Sequence, residues 1–320
     1  MDDIKLKNAF NILSTEAREL FLGLQVAELH HTPKALEFYR NYVSKNLPVV
    51  FRNINKNGYA VQTWNSNYLS RKIGTKKVTV AVTPNGYADG LISHSNIKFG
   101  DMDYFVMPEE REMQMNDFLK ALDEQNVGEI MYIQNQNSNL TLNFSELSQD
   151  VPKDISWVSE ALDKMPDAVN FWMGDSRAIT SMHKDPYENM YSVISGYKDF
   201  ILIPPTDMQY VPRSSYPVGT YTKIDNKFIV KPSNSKPISW VSIDPLQPNL
   251  NTYPEYAKCN VYHVRVNAGD VLYLPSLWYH HVRQSHKCIA INYWYDMEYD
   301  ARYCYYKMME NLCGFDALQS

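Results

Sequence analysis

The chain has 320 residues, 44% hydrophobic and 21% charged, enough to bury a large core as a soluble globular protein. Its formal charge of −5 leaves no basic footprint, so direct nucleic-acid binding is not expected. No apolar run reaches the roughly 20 residues of a membrane helix, and the start, MDDIKLKNAF, has no apolar signal core. The expected location is cytoplasmic, with the nucleus also open. Cys259, Cys288, Cys304 and Cys313 show no C-x-x-C spacing, which predicts reduced, buried thiols rather than disulfides or a zinc site.

Taken in order, residues 4 to 24 repeat apolar positions at helical spacing (Ile4, Phe10, Leu13, Ala17, Leu20, Phe21, Leu24) and predict an amphipathic helix or a broken pair. Thr32 and Pro33 read as the N-cap and first turn of a second helix ending near Asn46. VVFRNI after Pro48 reads as a buried strand, Tyr68 to Ile73 as a short helix, and 76 to 82 as an alternating strand. Pro108 and Glu109 predict a helix through Leu122, and EIMYIQNQ (129 to 136) another strand. From Ala168 onward short strand candidates dominate: AVNFWMG, AITSMHKD, YSVIS, DFILIPP, YHVRV, DVLYLP and IAINYWYD. Their even spacing predicts a β-sandwich or barrel. Residues 195 to 198 form a tight hairpin. The polar, Pro-rich segment 206 to 258 reads as an insertion bordering the site, and a helix closes the chain over 299 to 312.

The fold class is therefore mainly β with flanking helices. Residues 1 to 127 form a helical and strand-containing part packed on the core, 128 to 299 the core, and 300 to 320 the terminal helix, all in one integrated domain.

The chemistry concentrates in AITSMHKDPYENMYSVISGYK, residues 178 to 198. On a strand, His183 and Asp185 point to the same face. A distant histidine would complete two imidazoles and a carboxylate, the facial triad of non-haem Fe(II) oxygenases, which keeps three adjacent coordination positions open. GDVLYLPSLWYHHVRQSH offers His280 or His281, and since strand neighbours face opposite sides only one can point inward. His30, His31, His94, His263 and His286 have no ligand spacing, and Trp172, Trp278 and Trp294 read as core or pocket wall. Lys198 follows Gly196 and by itself reads as a solvated hairpin tip.

NFWMGDSRAITSMHKDPYENMYSVISGYKDFILIPP, then GDVLYLPSLWYHHV, then IAINYWYDMEYD resemble the JmjC family of 2-oxoglutarate oxygenases, in particular its lysyl hydroxylase branch. The likeness is densest over residues 128 to 312. It implies a double-stranded β-helix, or jelly roll, with Fe(II) as cofactor and 2-oxoglutarate and dioxygen as co-substrates. The family pattern P-x-x-W-x-H-x-V implies His280 as the third ligand. The resemblance assigns Lys198 and Thr180 to the distal carboxylate of 2-oxoglutarate, and Tyr132, Asn189 and Asn292 to its surroundings. Thr180 lies three residues before His183, so on alternation it faces away unless the strand bends.

The implied substrate is a lysine of a protein, a developmentally regulated GTP-binding protein of the TRAFAC class. Rival readings are N-methyl-lysine demethylation, a cation-dependent endopeptidase acting on methylated histone tails, and a non-catalytic jelly-roll binding module. No H-E-x-x-H motif or nucleophile constellation supports the peptidase. Asp296, Glu298 and Asp300 are expected to share a face and meet the substrate lysine. Apolar residues on the terminal helices (Leu13, Leu20, Phe21; Tyr306, Met309, Leu312) lead to an expected homodimer.

Overall fold

The computed structural model describes residues 3–92, 103–125 and 127–314; His94 lies outside them. Strands from both halves of the chain build two sheets sharing one interior. The larger sheet has nine strands in the order Ala27–Leu29, Val49–Phe51, Val271–Leu274, Tyr187–Ser195, Cys288–Asp296, Ala168–Gly174, Ile130–Ile133, Lys77–Thr83 and Glu109–Gln114. The smaller has five: Tyr262–Asn267, Tyr197–Ile203, Tyr279–Gln284, Ile179–His183 and Tyr87–Ala88. The turn at Gly196, with φ of +77°, passes the chain from the first sheet to the second. A Cβ there would collide with the Ser285 hydroxyl, so only glycine fits.

Alternation along the strands sorts residues into three layers. Tyr191, Val193, Phe200, Leu202, Val264, Val282 and Ala290 fill the space between the sheets. Met190, Ile194, Ile289, Ile291 and Tyr293 point the other way, into a core closed by the N-terminal helices. Met182, Ile201, Ile203 and Tyr279 face outward from the small sheet. The insertion (Met208, Val211, Val241) and Tyr306 of the closing helix Ala301–Leu312 cover them. This is the jelly-roll core with flanking helices that the family resemblance implies, and it agrees with the sandwich or barrel read from the strand pattern.

Three local expectations are corrected. The stretch after Pro108 is not helical: Glu109–Gln114 pairs antiparallel with Lys77–Thr83, and the helix begins only at Met115. Its side chains alternate between half-buried and exposed, and the sheet edge leaves Glu110 and Glu112 in water, so ladder pairing outweighs the helix-start signature. The second helix starts at Ala35 behind Lys34, not at Thr32, because Pro33 is buried in the approach; it then widens into a π turn over Tyr39–Val43. All four cysteines are free, but only Cys288 is buried: Cys259 and Cys313 are half-buried and Cys304 is exposed on the closing helix. The first helix ends at Leu20. Phe10 and Ala17 are buried, whereas Leu20 and Leu24 are left exposed. Among the described residues no helix is long and apolar enough to cross a membrane.

Candidate metal centre

The strand Ile179–His183 pairs antiparallel with Tyr279–Gln284, matching Thr180 to Val282 and His183 to His280. Between these pairs Ser181 and Met182 oppose the single residue His281, which is a β-bulge. The bulge resolves the parity problem of Thr180: the extra residue lets Thr180 and His183 face the same interior despite odd spacing. His183, Asp185 and His280 line one cavity with Tyr132, Thr180, Asn189 and Asn292.

Asp185 Oδ2 lies 3.6 Å from Nε2 of His183 and 3.6 Å from Nε2 of His280. The three donor atoms fall within 4.8 Å of one another. Donors held about 2.0–2.2 Å from one divalent ion sit about 3–4 Å apart, so this spacing fits a shared cation. The outer nitrogens are already committed. His183 Nδ1 lies 2.8 Å from the Ser181 carbonyl and His280 Nδ1 lies 3.0 Å from the Trp278 carbonyl. Each Nδ1–H donates to its carbonyl, leaving the Nε2 lone pair aimed at the other donors. Burial raises the Asp185 carboxyl, but His183 and His280 outweigh it and hold it far below the usual carboxylate range. Burial lowers the His183 imidazolium while Asp185 more than reverses that shift; His280 moves down through burial and its neighbour His183.

Lys198 is not a solvated hairpin tip. It is 1% exposed and stands just behind the cavity, where Nζ donates to the Tyr132 hydroxyl at 2.7 Å. The rings of Tyr132, Tyr191 and Trp172 surround it at 5.0, 5.5 and 5.8 Å. Among the described residues no carboxylate pairs with it, and burial lowers its pKa to about 8. Burial also pushes the neighbouring Cys288 thiol up to about 11, so that group supplies no counter-charge at neutral pH. A buried cation with only neutral neighbours is a costly arrangement, and a small dianion entering the cavity would relieve it. Beside it, Trp172 Nε1 donates to Asn292 Oδ1 at 2.8 Å, and Asn292 Nδ2 donates to Asn189 Oδ1 at 3.1 Å. That chain fixes both amides and leaves the Asn189 amino group free for an acceptor. The donor set fits a hard divalent cation, and Lys198 with the amides fits a dicarboxylate.

His281 faces the opposite side of its strand, towards Asp244 at 4.0 Å. Among the described residues neither of its ring nitrogens has a hydrogen-bond partner, and burial takes its pKa down to about 4. His280→Ala is expected to lose Mn(II) binding in a calorimetric titration while His281→Ala retains it; the reverse pattern would exclude His280 as a ligand.

Asp296, Glu298 and Asp300 do not meet the cavity. All three are exposed and line a separate groove with Asn46, Lys164 and Tyr303. Glu298 pairs with Lys164 at 2.7 Å, and Asp300 caps the closing helix through Arg302 N. Met297 N donates to the Pro186 carbonyl at 3.3 Å, closing the strand pairing just before these exposed residues.

The insertion contributes a residue that sequence reasoning missed. Trp240 stacks on His183 with centroids 6.0 Å apart and planes 6° from parallel, and its Nε1 donates to Ser181 Oγ at 3.1 Å. Its only sequence signal is a tryptophan within an otherwise polar, Pro-rich segment.

A cupin-like domain family matches residues 35–301. The human bifunctional peptidase and (3S)-lysyl hydroxylase JMJD7 is 42% identical over 92% of this chain and 92% of its own. Lysine-specific demethylase JMJ32 of Arabidopsis thaliana is 34% identical over 93% of this chain and 89% of its own. JmjC domain-containing protein E of Dictyostelium discoideum is 35% identical over 97% and 93%.

Proposed function

Because this chain belongs to the JmjC family of cupin-like, 2-oxoglutarate-dependent oxygenases, we propose that it hydroxylates the side chain of a protein lysine. The observation that carries this reading is the pairing of two tautomer-fixed imidazoles and one carboxylate with a buried, unpaired Lys198 behind the same cavity. His183, Asp185 and His280 hold Fe(II). Lys198, Thr180 and Tyr132 receive the distal carboxylate of 2-oxoglutarate, with Asn189 and Asn292 beside it. When bound, iron and 2-oxoglutarate supply the oxidising power that puts one atom of dioxygen into a C–H bond.

The chain's own residues do the rest. The Ser181 and Trp278 carbonyls fix the tautomer and orientation of both imidazoles. Trp240 covers one face of His183 and limits access of water. The aromatic walls around Lys198 keep the dielectric low, so its charge-assisted contact to a carboxylate is strong. Substrate enters over the remaining open side, and the reacting carbon is the one these walls bring to the metal. The human relative is named a (3S)-lysyl hydroxylase, which suggests carbon 3 of lysine. The proposed partner is a protein presenting an accessible lysine, with GTP-binding proteins of the TRAFAC class the first to try.

The second reading is removal of a methyl group from N-methyl-lysine, supported by the name of the Arabidopsis relative. Mass spectrometry of such a GTP-binding protein after incubation with the iron-loaded enzyme separates the readings. A gain of one oxygen on an unmodified lysine supports hydroxylation, whereas loss of a methylene from a methylated lysine supports demethylation. Shortened fragments would indicate proteolysis, and an unchanged protein would count against all three.

A further inference from the structure

The strand Tyr87–Ala88 lies parallel to the start of Ile179–His183, placing Tyr87 beside Ile179 and Ala88 beside Thr180. The next residue, Asp89, is therefore brought alongside the metal-binding strand, and Ser181 Oγ donates to its carbonyl at 2.6 Å. Asp89 adopts φ of +57°, a conformation that aspartate and asparagine tolerate better than most residues. Its side chain is half-buried and opens into a groove lined also by Thr79, Ala81, Gln134, Gln136 and Thr220. Gln136 lines the metal cavity as well, so groove and cavity share a wall.

The carboxylate is oriented but not neutralised. Gln134 Nε2 donates to Oδ2 at 3.0 Å, and among the described residues no lysine, arginine or histidine forms an ion pair with it. Its charge is nonetheless felt by His183, which places it within electrostatic reach of the metal ligands. Glu110, exposed at the groove's outer side, adds a second negative charge that Asp89 feels. Burial raises the Asp89 carboxyl, and an arriving cation would reverse that shift.

We propose that Asp89, set in the groove that shares Gln136 with the metal cavity, receives the ammonium of the substrate lysine. The proposal rests on the lysyl hydroxylase reading and deepens it. An extended lysine carries its nitrogen about 5 Å beyond Cβ, four bonds of roughly 1.5 Å each at tetrahedral angles. Reaction at carbon 3 thus needs a carboxylate a short way past the metal, not on it. Asp89 lies beside the metal-binding strand, whereas the 296–300 carboxylates line a separate groove. Gln134 fixes one oxygen and leaves the other for the ammonium, an arrangement that favours a nitrogen bearing hydrogens over a trimethylated one.

The test uses the full chain loaded with Mn(II) and 2-oxoglutarate under argon. Fluorescein-labelled Gly-Ser-Lys-Ser-Gly and its norleucine twin are titrated by anisotropy. The wild type is expected to prefer the lysine peptide by about ten- to a hundredfold, the range of a charge-assisted hydrogen bond. Asp89→Asn, which keeps the backbone conformation and an acceptor for Gln134, should abolish the preference by weakening the lysine peptide alone; Asp89→Glu should restore part of it. Unchanged discrimination in Asp89→Asn, or no preference in the wild type, would overturn the proposal. Both results are independent of whether an oxygen is later found on lysine, which tests the hydroxylase reading by itself.

Discussion

Asp185→Ala is expected to take lysine hydroxylation and 2-oxoglutarate consumption to background while the protein stays folded. Asp185 is the one anionic donor of the triad, and hard divalent ions depend on such an oxygen. Changes to groups merely supporting metal ligands cost about ten- to a hundredfold, so loss of a ligand should exceed about a hundredfold in metal affinity. The fold should survive because the side chain is only half-buried. The backbone bond from Leu277 N to the Asp185 carbonyl, 2.9 Å, does not involve the side chain. Metal titration beside a thermal melt checks both halves. Undiminished consumption of 2-oxoglutarate by the variant would remove Asp185 from the metal centre.

Lys198→Met is expected to move stability and co-substrate binding in opposite directions. The unfolded chain holds this lysine at its ordinary value of 10.5, while burial brings the folded value to about 8. The charged form is thus disfavoured on folding, by about 3 kcal/mol below pH 8, at about 1.4 kcal/mol per unit. That cost fades as pH rises from about 8 towards 10.5, where the unfolded lysine also loses its proton. Methionine has similar length and no charge, so the variant should melt higher than wild type near neutral pH and lose that advantage above pH 10. The Tyr132 hydroxyl keeps Thr180 and Tyr191 as neighbours when the ammonium is gone.

Affinity for 2-oxoglutarate should fall by about one to two decades, the loss of a charge-assisted hydrogen bond of roughly 1.5–3 kcal/mol. In the wild type, affinity should be full below pH 8 and weaken above it, since binding then has to recover the proton that Lys198 has lost. Lys198→Met should show a flat profile across this window. A variant that melts lower at neutral pH yet binds 2-oxoglutarate normally would make Lys198 a structural residue.

Local pattern was enough to identify the core strands and the H-x-D face. Seven apolar stretches after Ala168 became strands because period-two alternation suits a chain buried on one or both faces. His183 and Asp185 share a face for the same reason. That His280 rather than His281 joins them follows from strand parity once the register is set. Local pattern also misled wherever a distant partner decided the outcome. Pro108-Glu109 carries a helix-start signature, yet the free edge offered by Lys77–Thr83 captured it as a strand.

Tertiary structure alone determined the rest. Thr180 turns inward because one extra residue bulges against Tyr279–Gln284, an event of pairing that spacing within one strand does not encode. Lys198 sits at what reads as a polar turn, and it is buried because the two sheets close over it from both sides. Asp296, Glu298 and Asp300 have the right spacing for a cradle but end on another groove, at and beyond the end of the strand Cys288–Asp296. Asp89 and Trp240, some 150 residues apart in sequence, reach the site only through the parallel pairing of Tyr87–Ala88 and the folding of the insertion over the small sheet. Ligand chemistry is written in short motifs because coordination needs particular atoms on one face. The surroundings that tune those atoms come from segments far apart, which only packing brings together.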